Sequence, residues 1–370
     1  MRVRVVRATG TVKPPYSVPT MAEIAARPRN GYRMLSTFSG CGGSCLGFEM
    51  EGFTVVAASE FIAVAADTYR RNHPGVPVDT RDIREVDADA WLDQLGLLPG
   101  DLDVLEGSPP CASFSGAGVR GGGITARWGQ VHKYSDTKQR TDDLFFEFAR
   151  IRDAMRPKVF VAENVSGLIA GASQGYFKDI LRRLRQGYRV EARVLDAQWL
   201  GVPQARKRII FVGVRDDLDG HPAFPDPLPY RYSIDDALPN LRDHQPTTHD
   251  PETGERIMLS GQATRVYDSV RPGQNVEGTK WFAIRRTGYG KPSPTILATP
   301  TSRPCHPAEP RRFTLGELRA LGSFPSDFEL VGTYVQRGER IGRAVPPLMM
   351  AAVARVIRDS ILPSCGGGGA

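Results

Sequence analysis

A cysteine lies where a chain can present a nucleophile. Cys111 follows two prolines in the segment GSPPCASFSG, after the apolar run DLDVLEG and before a long glycine-rich stretch. The apolar run predicts a buried strand, and the loops that follow strands are where α/β enzymes place reactive groups. The prolines restrict the backbone before the sulfur, so the pattern predicts a presented thiol. The alternative is an inert core cysteine, the commoner environment for this residue type.

A glycine-rich turn and a downstream carboxylate form a second group. The turn TFSGCGG contains Gly40, Gly42 and Gly43, which allow the backbone to approach a ligand at the start of a helix. Glu60 lies about 20 residues further on, at the end of the next apolar run, where an acidic side chain can bind the two hydroxyls of a ribose. Asp82, expected at the end of a third strand, is suited to an adenine amino group. These residues favour a nucleoside-containing cofactor over a plain strand-to-helix connection.

Two further segments carry polar groups at predicted strand ends. Glu163 and Asn164 end the run KVFVAENV, where a carboxyl group beside a cleft can act as an acid or a clamp. In QARKR, Arg206 and Arg208 are two residues apart, which sends both side chains to one face of a strand. We therefore expect them to meet one anionic or carbonyl-bearing ligand. A loop carboxylate without a role and a solvated strand end are the alternatives.

The elements that position these residues alternate between strand and helix patterns. Strand-like runs (RMLSTF, FTVVAASE, VPVDTRDI, DLDVLEG, KVFVAENV, RKRIIFVGV) are separated by amphipathic stretches such as TDDLFFEFARIRDAM and YFKDILRRLRQGY. This alternation predicts an α/β protein with a doubly wound, mostly parallel sheet. The pattern stops between about 221 and 292, which indicates a smaller, irregular module. Helical patterning returns in TLGELRALGSF and PPLMMAAVARVIRDSIL.

Composition indicates a soluble protein. The chain has 370 residues, 41% of them hydrophobic and 24% charged, and its five cysteines fit a reducing compartment with free thiols. No apolar run approaches the roughly 18 residues of a membrane span, and no cysteine or histidine spacing completes a zinc site. Residues 1–33 hold seven basic side chains against Glu23, a net charge of +6 out of +7 for the whole chain. This basic arm either holds a phosphate backbone or is a solvated leader.

Taken together and in order, these segments resemble the DNA methyltransferases that modify carbon 5 of cytosine. The resemblance runs from Arg33 to about Ile361, apart from the irregular module, and includes TFSGCGG, SPPCASFS, ENV, QARKR, HPAEPRRFTLGELRALGSFPSDF and GRAVPP. It implies a Rossmann-like methyltransferase domain, S-adenosylmethionine as cofactor and double-stranded DNA as partner. The implied organisation is a basic arm (1–32), a catalytic and cofactor-binding domain (33–220), a target recognition domain (221–292), a segment that completes it and returns to the catalytic domain (293–362) and a flexible tail (363–370).

The resemblance also implies roles for individual residues. Cys111 as thiolate attacks carbon 6 of a flipped-out cytosine, which makes carbon 5 nucleophilic. Glu163 holds ring nitrogen 3, and Arg208, with Arg206, meets the ring's carbonyl oxygen. The implied cofactor-binding residues are Phe38, Ser39, Gly40, Gly42, Gly43, Glu60, Phe61, Asp82, Ile83, Pro110, Arg343, Ala344 and Val345. The implied cytosine-binding residues are Ser108, Pro109, Ser115, Asn164, Val165 and Gln204. Candidates for DNA contacts in the recognition domain are Arg265, Arg271, Arg285 and Arg286, and the loop from Gly116 to about Thr141 is expected to close over the DNA.

Two departures from the family pattern matter for the cofactor. Ser36 stands where the family usually has an acidic residue, so one contact to the cofactor's amino group is lost. Arg343 stands where the family normally has an asparagine, and a guanidinium repels a sulfonium. We therefore expect Arg343 to turn toward a phosphate or toward Glu339. The alternative is a cofactor with an anionic transferable group, such as carboxy-S-adenosylmethionine, which an arginine would pair with.

Several alternatives stay open at this stage. The same chemistry can act on RNA cytosine, and the same scaffold can serve as a catalytically silent DNA-binding protein. We expect a monomer in the cytoplasm of a bacterial or phage-infected cell, either solitary or accompanied by a cognate restriction nuclease that acts separately.

Overall fold

The computed structural model describes residues 12–110, 131–134, 137–141, 143–169, 174–242, 246–274, 284–298 and 304–366; for 131–134, 137–140 and 366 it describes the backbone alone. Cys111 and Ser115 lie outside these ranges, as does most of the loop predicted between Gly116 and Thr141.

Eleven strands are present among the described residues. They are β1 (Arg33–Thr37), β2 (Thr54–Ser59), β3 (Val78–Asp79), β4 (Val104–Gly107), β5 (Val131–Tyr134), β6 (Thr137–Arg140), β7 (Val159–Val165), β8 (Tyr188–Asp196), β9 (Gln204–Ala205), β10 (Lys207–Arg215) and β11 (Ser293–Pro294). The described α-helices are α1 (Met21–Ala25), α2 (Gly43–Met50), α3 (Ala63–Asn72), α4 (Ala88–Leu95), α5 (Leu144–Met155), α6 (Gln174–Leu184), α7 (Ile234–Ala237), α8 (Gln262–Asp268), α9 (Leu315–Leu321), α10 (Tyr334–Arg343) and α11 (Pro347–Val356).

Seven of the strands form one mixed sheet in the order β3-β2-β1-β4-β7-β10-β8. The pairs from β3 to β7 are parallel, whereas β10 runs antiparallel to β7. The predicted doubly wound, mostly parallel sheet is therefore confirmed. The strand order reverses between β1 and β4, and in such sheets ligands bind beyond the carboxyl ends of the strands at this switch point. The glycine-rich turn follows β1, and the segment Ser108–Pro110 follows β4.

Apolar side chains from both the strands and the helices build the core of this sheet. Leu35, Leu105 and Phe160 from the strands pack with Phe145 and Phe148 from α5, and all five are buried. The helical spacing of apolar residues in TDDLFFEFARIRDAM thus corresponds to the buried face of α5. Among the elements that have no counterpart in the sequence-based expectations are α4 and the edge strand β8 of this sheet.

The chain forms two compact units. The sheet unit comprises 27–195, 207–225 and 351–370, and the second unit comprises the residues up to Ala26, Asp196–Arg206 and Asp226–Met350. The second unit has little regular structure apart from short helices and the β9–β11 pair. Its irregular character agrees with the patternless stretch in the sequence, but it extends well beyond 221–292.

The described part of the basic arm is largely exposed but makes specific contacts with other segments of the chain. In the second unit, Lys13 Nζ lies 2.7 Å from Asp236 Oδ1, and the Tyr16 hydroxyl donates to the carbonyl oxygen of Ala320 at 2.7 Å. Thr20 caps α1 through a reciprocal pair of hydrogen bonds with Glu23. These contacts hold the arm in the second unit from Lys13 onward.

The arm's remaining described cations are engaged in the sheet unit. Arg27, Arg29 and Arg33 donate to carbonyl oxygens of Met50, Phe53 and Asp101 at 2.5, 3.1 and 3.3 Å. Arg2, Arg4 and Arg7 lie outside the described residues.

The flexible tail was predicted to begin at residue 363, but the described residues 363–366 belong to a helix, and residues 367–370 lie outside the described part of the chain. Leu362–Gly366 form a 3-10 helix, and Cys365 is buried with its thiol donating to the carbonyl oxygen of Ile361 at 3.3 Å. The burial of this thiol explains the order of the segment. Among the described residues, none of the helices combines the length and the apolar character that a bilayer-spanning segment requires.

Candidate active site

The turn after β1 has an unusual backbone. Phe38, Gly40 and Gly42 have φ angles of +53°, +58° and +92°, in the left-handed region that favours glycine. A Cβ on Gly42 would lie 2.2 Å from Nε2 of the buried His73, so position 42 excludes a side chain on steric grounds as well. A Cβ on Gly40 would meet nothing within 4 Å, which leaves open space beside the turn. Gly43 begins α2.

Glu60 joins the end of β2 to this turn. Its Oε2 accepts from the backbone N–H of Gly40 and its Oε1 from that of Ile62, both at 2.7 Å. Each carboxylate oxygen has two lone pairs, so Glu60 can still accept hydrogen bonds from a diol. The neighbouring Phe61 ring is 40% exposed and available for stacking. The turn, Glu60 and Phe61 therefore fit the nucleoside half of a cofactor, as the sequence predicts.

Asp82 does not end the third strand. β3 stops at Asp79, whose carboxylate accepts hydrogen bonds from Arg81 and from the Trp91 indole. Asp82 instead caps a 3-10 helix over Ile83–Glu85 and pairs with Arg84 at 2.9 Å. Ile83 is buried in the core. The prediction about the strand end was wrong because β3 ends at Asp79, three residues earlier, and the side chain of Asp82 caps the 3-10 helix instead.

Asn164 connects the end of β7 to the segment before Cys111. Its Nδ2 donates to the carbonyl oxygen of Pro109 at 3.0 Å, and its Oδ1 accepts from the backbone N–H of Val165 at 2.7 Å. Asn164 is 3% exposed, so both contacts are shielded from water. The backbone two residues before Cys111 is therefore held by a buried amide, and Pro110 is the last described residue ahead of the thiol.

Glu163 forms a buried ion pair with Arg208. Arg208 Nε lies 2.6 Å from Glu163 Oε1. In the antiparallel register, Arg208 lies opposite Val165 and Ile210 opposite Glu163, so Arg208 and Glu163 share a face as diagonal neighbours. Burial lowers the pKa of the Arg208 guanidinium, while the charge of Glu163 opposes this shift. The predicted ENV and QARKR segments thus meet in the structure through this pair.

Glu106 on β4 was not among the site residues predicted from the sequence. This carboxyl group is 1% exposed and accepts hydrogen bonds from the hydroxyls of Ser36 at 2.7 Å and Ser108 at 3.3 Å. Ser39 in turn donates to Ser36 Oγ at 2.9 Å. Burial raises the pKa of Glu106 from its ordinary 4.5 to about 7. The available signal was an acidic residue inside the apolar run DLDVLEG.

Gln204 and Arg206 have internal partners in the second unit. Gln204 donates through Nε2 to the carbonyl oxygen of Leu321 at 3.3 Å and accepts through Oε1 from the N–H of Ile296 at 3.0 Å. Arg206 is 1% exposed and donates to the carbonyl oxygen of Ile296 at 3.1 Å. The described partners of Arg206 and Arg208 differ, and a common ligand for the two arginines stays a prediction. The contacts of Gln204 and Arg206 stabilise the β9–β11 region.

Arg343 is the last residue of α10 and pairs along its own helix. Its Nε lies 2.6 Å from Glu339 Oε1, and Arg340 also contacts this carboxylate at 3.1 Å. This is one of the two orientations expected from the sequence. Ala344 follows as the C-cap, and Val345 is buried.

Arg286 differs from the other candidate DNA contacts. It donates to the carbonyl oxygens of Val270 and Pro307, each at 2.8 Å, and its guanidinium carbon lies 4.3 Å from the ring centroid of Tyr267. These contacts make Arg286 part of the second unit's internal structure. Arg265, Arg271 and Arg285 stay predictions for contacts to DNA.

Comparisons with known proteins identify the family to which this chain belongs. The family model for C-5 cytosine-specific DNA methylases matches residues 32–359. The Type II methyltransferase M1.HphI of Haemophilus parahaemolyticus is 32% identical over 340 residues, covering 87% of this chain and 86% of that protein. M.PspPI of Psychrobacter sp. is 32% identical over 359 residues, covering 90% and 81% respectively.

Solved structures share the fold. A DNA modification methyltransferase encoded within an Escherichia coli prophage matches with a TM-score of 0.68 at 21% identity, over 90% of this chain and 100% of that one. The DNMT2 mutant structure from Spodoptera frugiperda matches with a TM-score of 0.63 at 17% identity, over 88% and 99%. From the extent of the family match and the identity to these methyltransferases, the chain belongs to the C-5 cytosine-specific DNA methylases, enzymes that methylate carbon 5 of cytosine in DNA.

Proposed function

We propose that this methyltransferase acts through a covalent adduct between Cys111 and a cytosine flipped out of duplex DNA. The observation that carries the proposal is the convergence of four strand ends in the sheet unit. Glu60 after β2 binds the turn after β1, and Asn164 at the end of β7 binds the segment after β4 that leads to Cys111. The cofactor turn and the segment that leads to Cys111 are therefore both held at the carboxyl ends of the central strands of the sheet.

The chemistry assigns each group a step. The Cys111 thiolate forms a bond from sulfur to carbon 6 of the ring, and the electron pair displaced to carbon 5 takes the methyl group. Glu163 holds the protonated ring nitrogen 3 as negative charge builds, and Arg208 both orients Glu163 and meets the carbonyl oxygen. A base then removes the carbon 5 proton, the carbon–sulfur bond breaks and the thiolate is regenerated.

The family uses S-adenosylmethionine, which supplies an electrophilic methyl group on a sulfonium and leaves as S-adenosylhomocysteine. The residues described here fit that group, because Glu60 retains acceptor capacity for the ribose and Gly40 leaves open space beside the turn. Arg343 is paired with Glu339 at 2.6 Å, so its guanidinium needs no anionic cofactor to balance it. This pairing favours S-adenosylmethionine over carboxy-S-adenosylmethionine.

The relatives named above are Type II methyltransferases. We propose that this protein likewise modifies a specific sequence in duplex DNA. It acts as a monomer, and any companion nuclease acts separately. Bisulfite sequencing of DNA from cells that express the protein should reveal one modified sequence motif. Modification scattered without a motif, or confined to transfer RNA in a competition assay, would contradict this role.

Trapping tests the covalent step. Incubation with S-adenosylmethionine and DNA containing 5-fluorocytosine should give a protein–DNA adduct that survives denaturation, because fluorine cannot leave as a proton does. Cys111→Ser should abolish the adduct and lower methyl transfer by at least about 10³-fold, since the alcohol is a far weaker nucleophile than the thiolate. Cys41→Ser should keep the adduct, because Cys41 is a buried thiol in the turn after β1 and not in the segment after β4. An adduct that persists in Cys111→Ser would overturn the assignment.

A further inference from the structure

A buried carboxyl group lies between the cofactor turn and the nucleophile segment, and the reaction outlined above does not use it. Glu106 on β4 is the register partner of Ser36 on β1, and the Ser36 hydroxyl donates to Glu106 Oε2 at 2.7 Å. Both side chains are buried, at 1% and 0% exposure. The two strands that flank the switch point of the sheet are thus joined by a side-chain hydrogen bond as well as by their backbones.

The same carboxyl group also binds the elements on either side. Ser108, in the segment after β4, donates to Glu106 Oε1 at 3.3 Å, and the side chain of Ser44 at the start of α2 hydrogen bonds to it as well. Ser36 further accepts from Ser39, inside the glycine-rich turn, at 2.9 Å. Glu106 therefore hydrogen bonds to hydroxyl groups from three places: β1, α2 and the segment that leads to Cys111.

The surroundings of Glu106 disfavour a carboxylate, so its ionised form lowers the stability of the protein. The titratable groups that interact with it are the Cys45 thiol on α2, Tyr69 on α3 and Glu163 on β7. Burial and the charge of Glu163 both disfavour its ionised form, while the serine hydroxyls favour it. An apolar residue of similar volume would avoid this cost, so its retention here points to a role in binding.

We propose that Glu106 is a positioning residue that sets the cofactor turn against the Cys111 segment and favours the cationic cofactor over its product. This inference rests on the proposed use of S-adenosylmethionine. The sulfonium and ammonium groups of the cofactor are both positive, whereas S-adenosylhomocysteine keeps only the ammonium, so a carboxylate beneath the turn attracts the cofactor more strongly. Glu106 also compensates for the missing acidic residue at position 36. Its carboxyl group lies on the neighbouring strand, in register with Ser36.

The register of the sheet allows this idea to be tested by moving the charge. We would prepare Glu106→Ser, Ser36→Asp and the double variant, and titrate each with S-adenosylmethionine and with S-adenosylhomocysteine by calorimetry. Glu106→Ser should weaken cofactor binding about tenfold by loss of the charge, and Ser36→Asp should weaken it similarly by setting two carboxyl groups against each other. The double variant should bind within about threefold of the wild type, because it restores one carboxyl group to the pair.

Two results would overturn the proposal: a double variant no better than the weaker single variant, or single variants that bind as the wild type does. Thermal unfolding shows which proteins are folded. If Glu106→Ser does not fold, Glu106→Gln keeps the side-chain shape and tests the charge alone. It should bring the ratio of the two affinities closer to one, whereas an unchanged ratio would exclude the charge effect.

A second buried carboxylate provides the matched control. Asp103 lies just before β4, is 5% exposed and pairs with Lys158 at 2.8 Å. Asp103→Asn should lower stability and leave the ratio of cofactor to product affinity unchanged. The wild-type protein serves in the 5-fluorocytosine trapping assay in parallel. Trapping with an unchanged affinity ratio in Glu106→Gln contradicts this inference alone, whereas absence of both trapping and cofactor binding in the wild type contradicts the proposed function.

Discussion

Glu163 and Asn164 are adjacent on β7, and their side chains do different work. Successive side chains of a strand point to opposite faces. Glu163 pairs with Arg208 of the neighbouring strand, whereas Asn164 binds the carbonyl oxygen of Pro109. One dipeptide thereby supplies both a candidate ligand for the cytosine ring and a support for the backbone ahead of the nucleophile.

Replacing Asn164 should separate positioning from cofactor binding. Asn164→Ala leaves the Pro109 carbonyl oxygen without this donor, which costs about 1–3 kcal/mol and lets the Cys111 segment shift. We expect kcat to fall at least about tenfold, with the affinity for S-adenosylmethionine unchanged, as measured by steady-state kinetics and calorimetry. The isosteric Asn164→Asp should behave similarly, because a carboxylate cannot donate to a carbonyl oxygen. Full activity in either variant would show that Asn164 does not position the nucleophile.

Glu106 should make the stability of the protein depend on pH. Its pKa is raised on folding from 4.5 to about 7, so the folded state holds this proton more tightly than the unfolded state does. The free energy of unfolding therefore loses a contribution as pH rises through this window, by up to about 3 kcal/mol above pH 7. Glutamine does not ionise, so Glu106→Gln should gain stability relative to the wild type between pH 5 and pH 8. Urea unfolding at pH 5 and at pH 8 measures the difference in stability between the variant and the wild type. An equal difference at the two pH values would contradict the prediction.

The turn between β1 and α2 allows backbone strain to be compared with steric exclusion. Gly40→Ala introduces a Cβ at φ +58° into open space and should cost about 1–2 kcal/mol. Gly42→Ala introduces a Cβ at φ +92° and 2.2 Å from His73 Nε2, so it should cost about 1–3 kcal/mol more. Urea unfolding of the two variants provides the comparison. Similar losses would mean that His73 moves aside without cost.

Local patterns predicted the elements around the site well, and non-local pairing accounts for what they missed. The apolar runs and the glycines correctly indicated β1, α2 and β2. The structure places the Glu60 carboxylate against the turn, where it accepts from the Gly40 N–H. The importance of Glu106 depends on which strand lies beside β4, and no local pattern contains that information. Arg206 was assigned to the face of Arg208 by alternation, but Arg206 lies between β9 and β10, so the alternation is interrupted there.

At the scale of the whole molecule, the cations of the basic arm fall into two groups, those with described partners and those outside the described residues. Lys13 is paired with Asp236, and the arginines at 27, 29 and 33 bind carbonyl oxygens. Arg2, Arg4 and Arg7 lie outside the described residues, and we expect them to contribute to DNA binding if the arm holds a phosphate backbone. The net charge of this segment alone does not reveal which of its cations have partners within the protein.

Deletion of residues 1–11 should test the arm as a phosphate-binding segment. Loss of three arginines should reduce the slope of log affinity for duplex DNA against log salt concentration by about 2 to 3. Lys13→Ala should leave this slope unchanged, because its ammonium group is bound to Asp236. Fluorescence anisotropy at several salt concentrations measures both. An unchanged slope in the deletion variant would instead support the interpretation as a leader without contact to DNA.

The position of β10 within the sheet has a consequence for the order of folding. β10 lies between β7 and β8, although it follows both in the chain, and β8 is the edge strand whose neighbour in the sheet is β10. A nascent chain that has emerged only as far as Asp196 therefore holds β8 without the strand that pairs with it. The sheet can close at this edge only after the Asp196–Arg206 excursion has been synthesised and β10 has paired with β7. During translation, an unpaired strand is thus exposed at the time when chaperones or neighbouring chains can bind it.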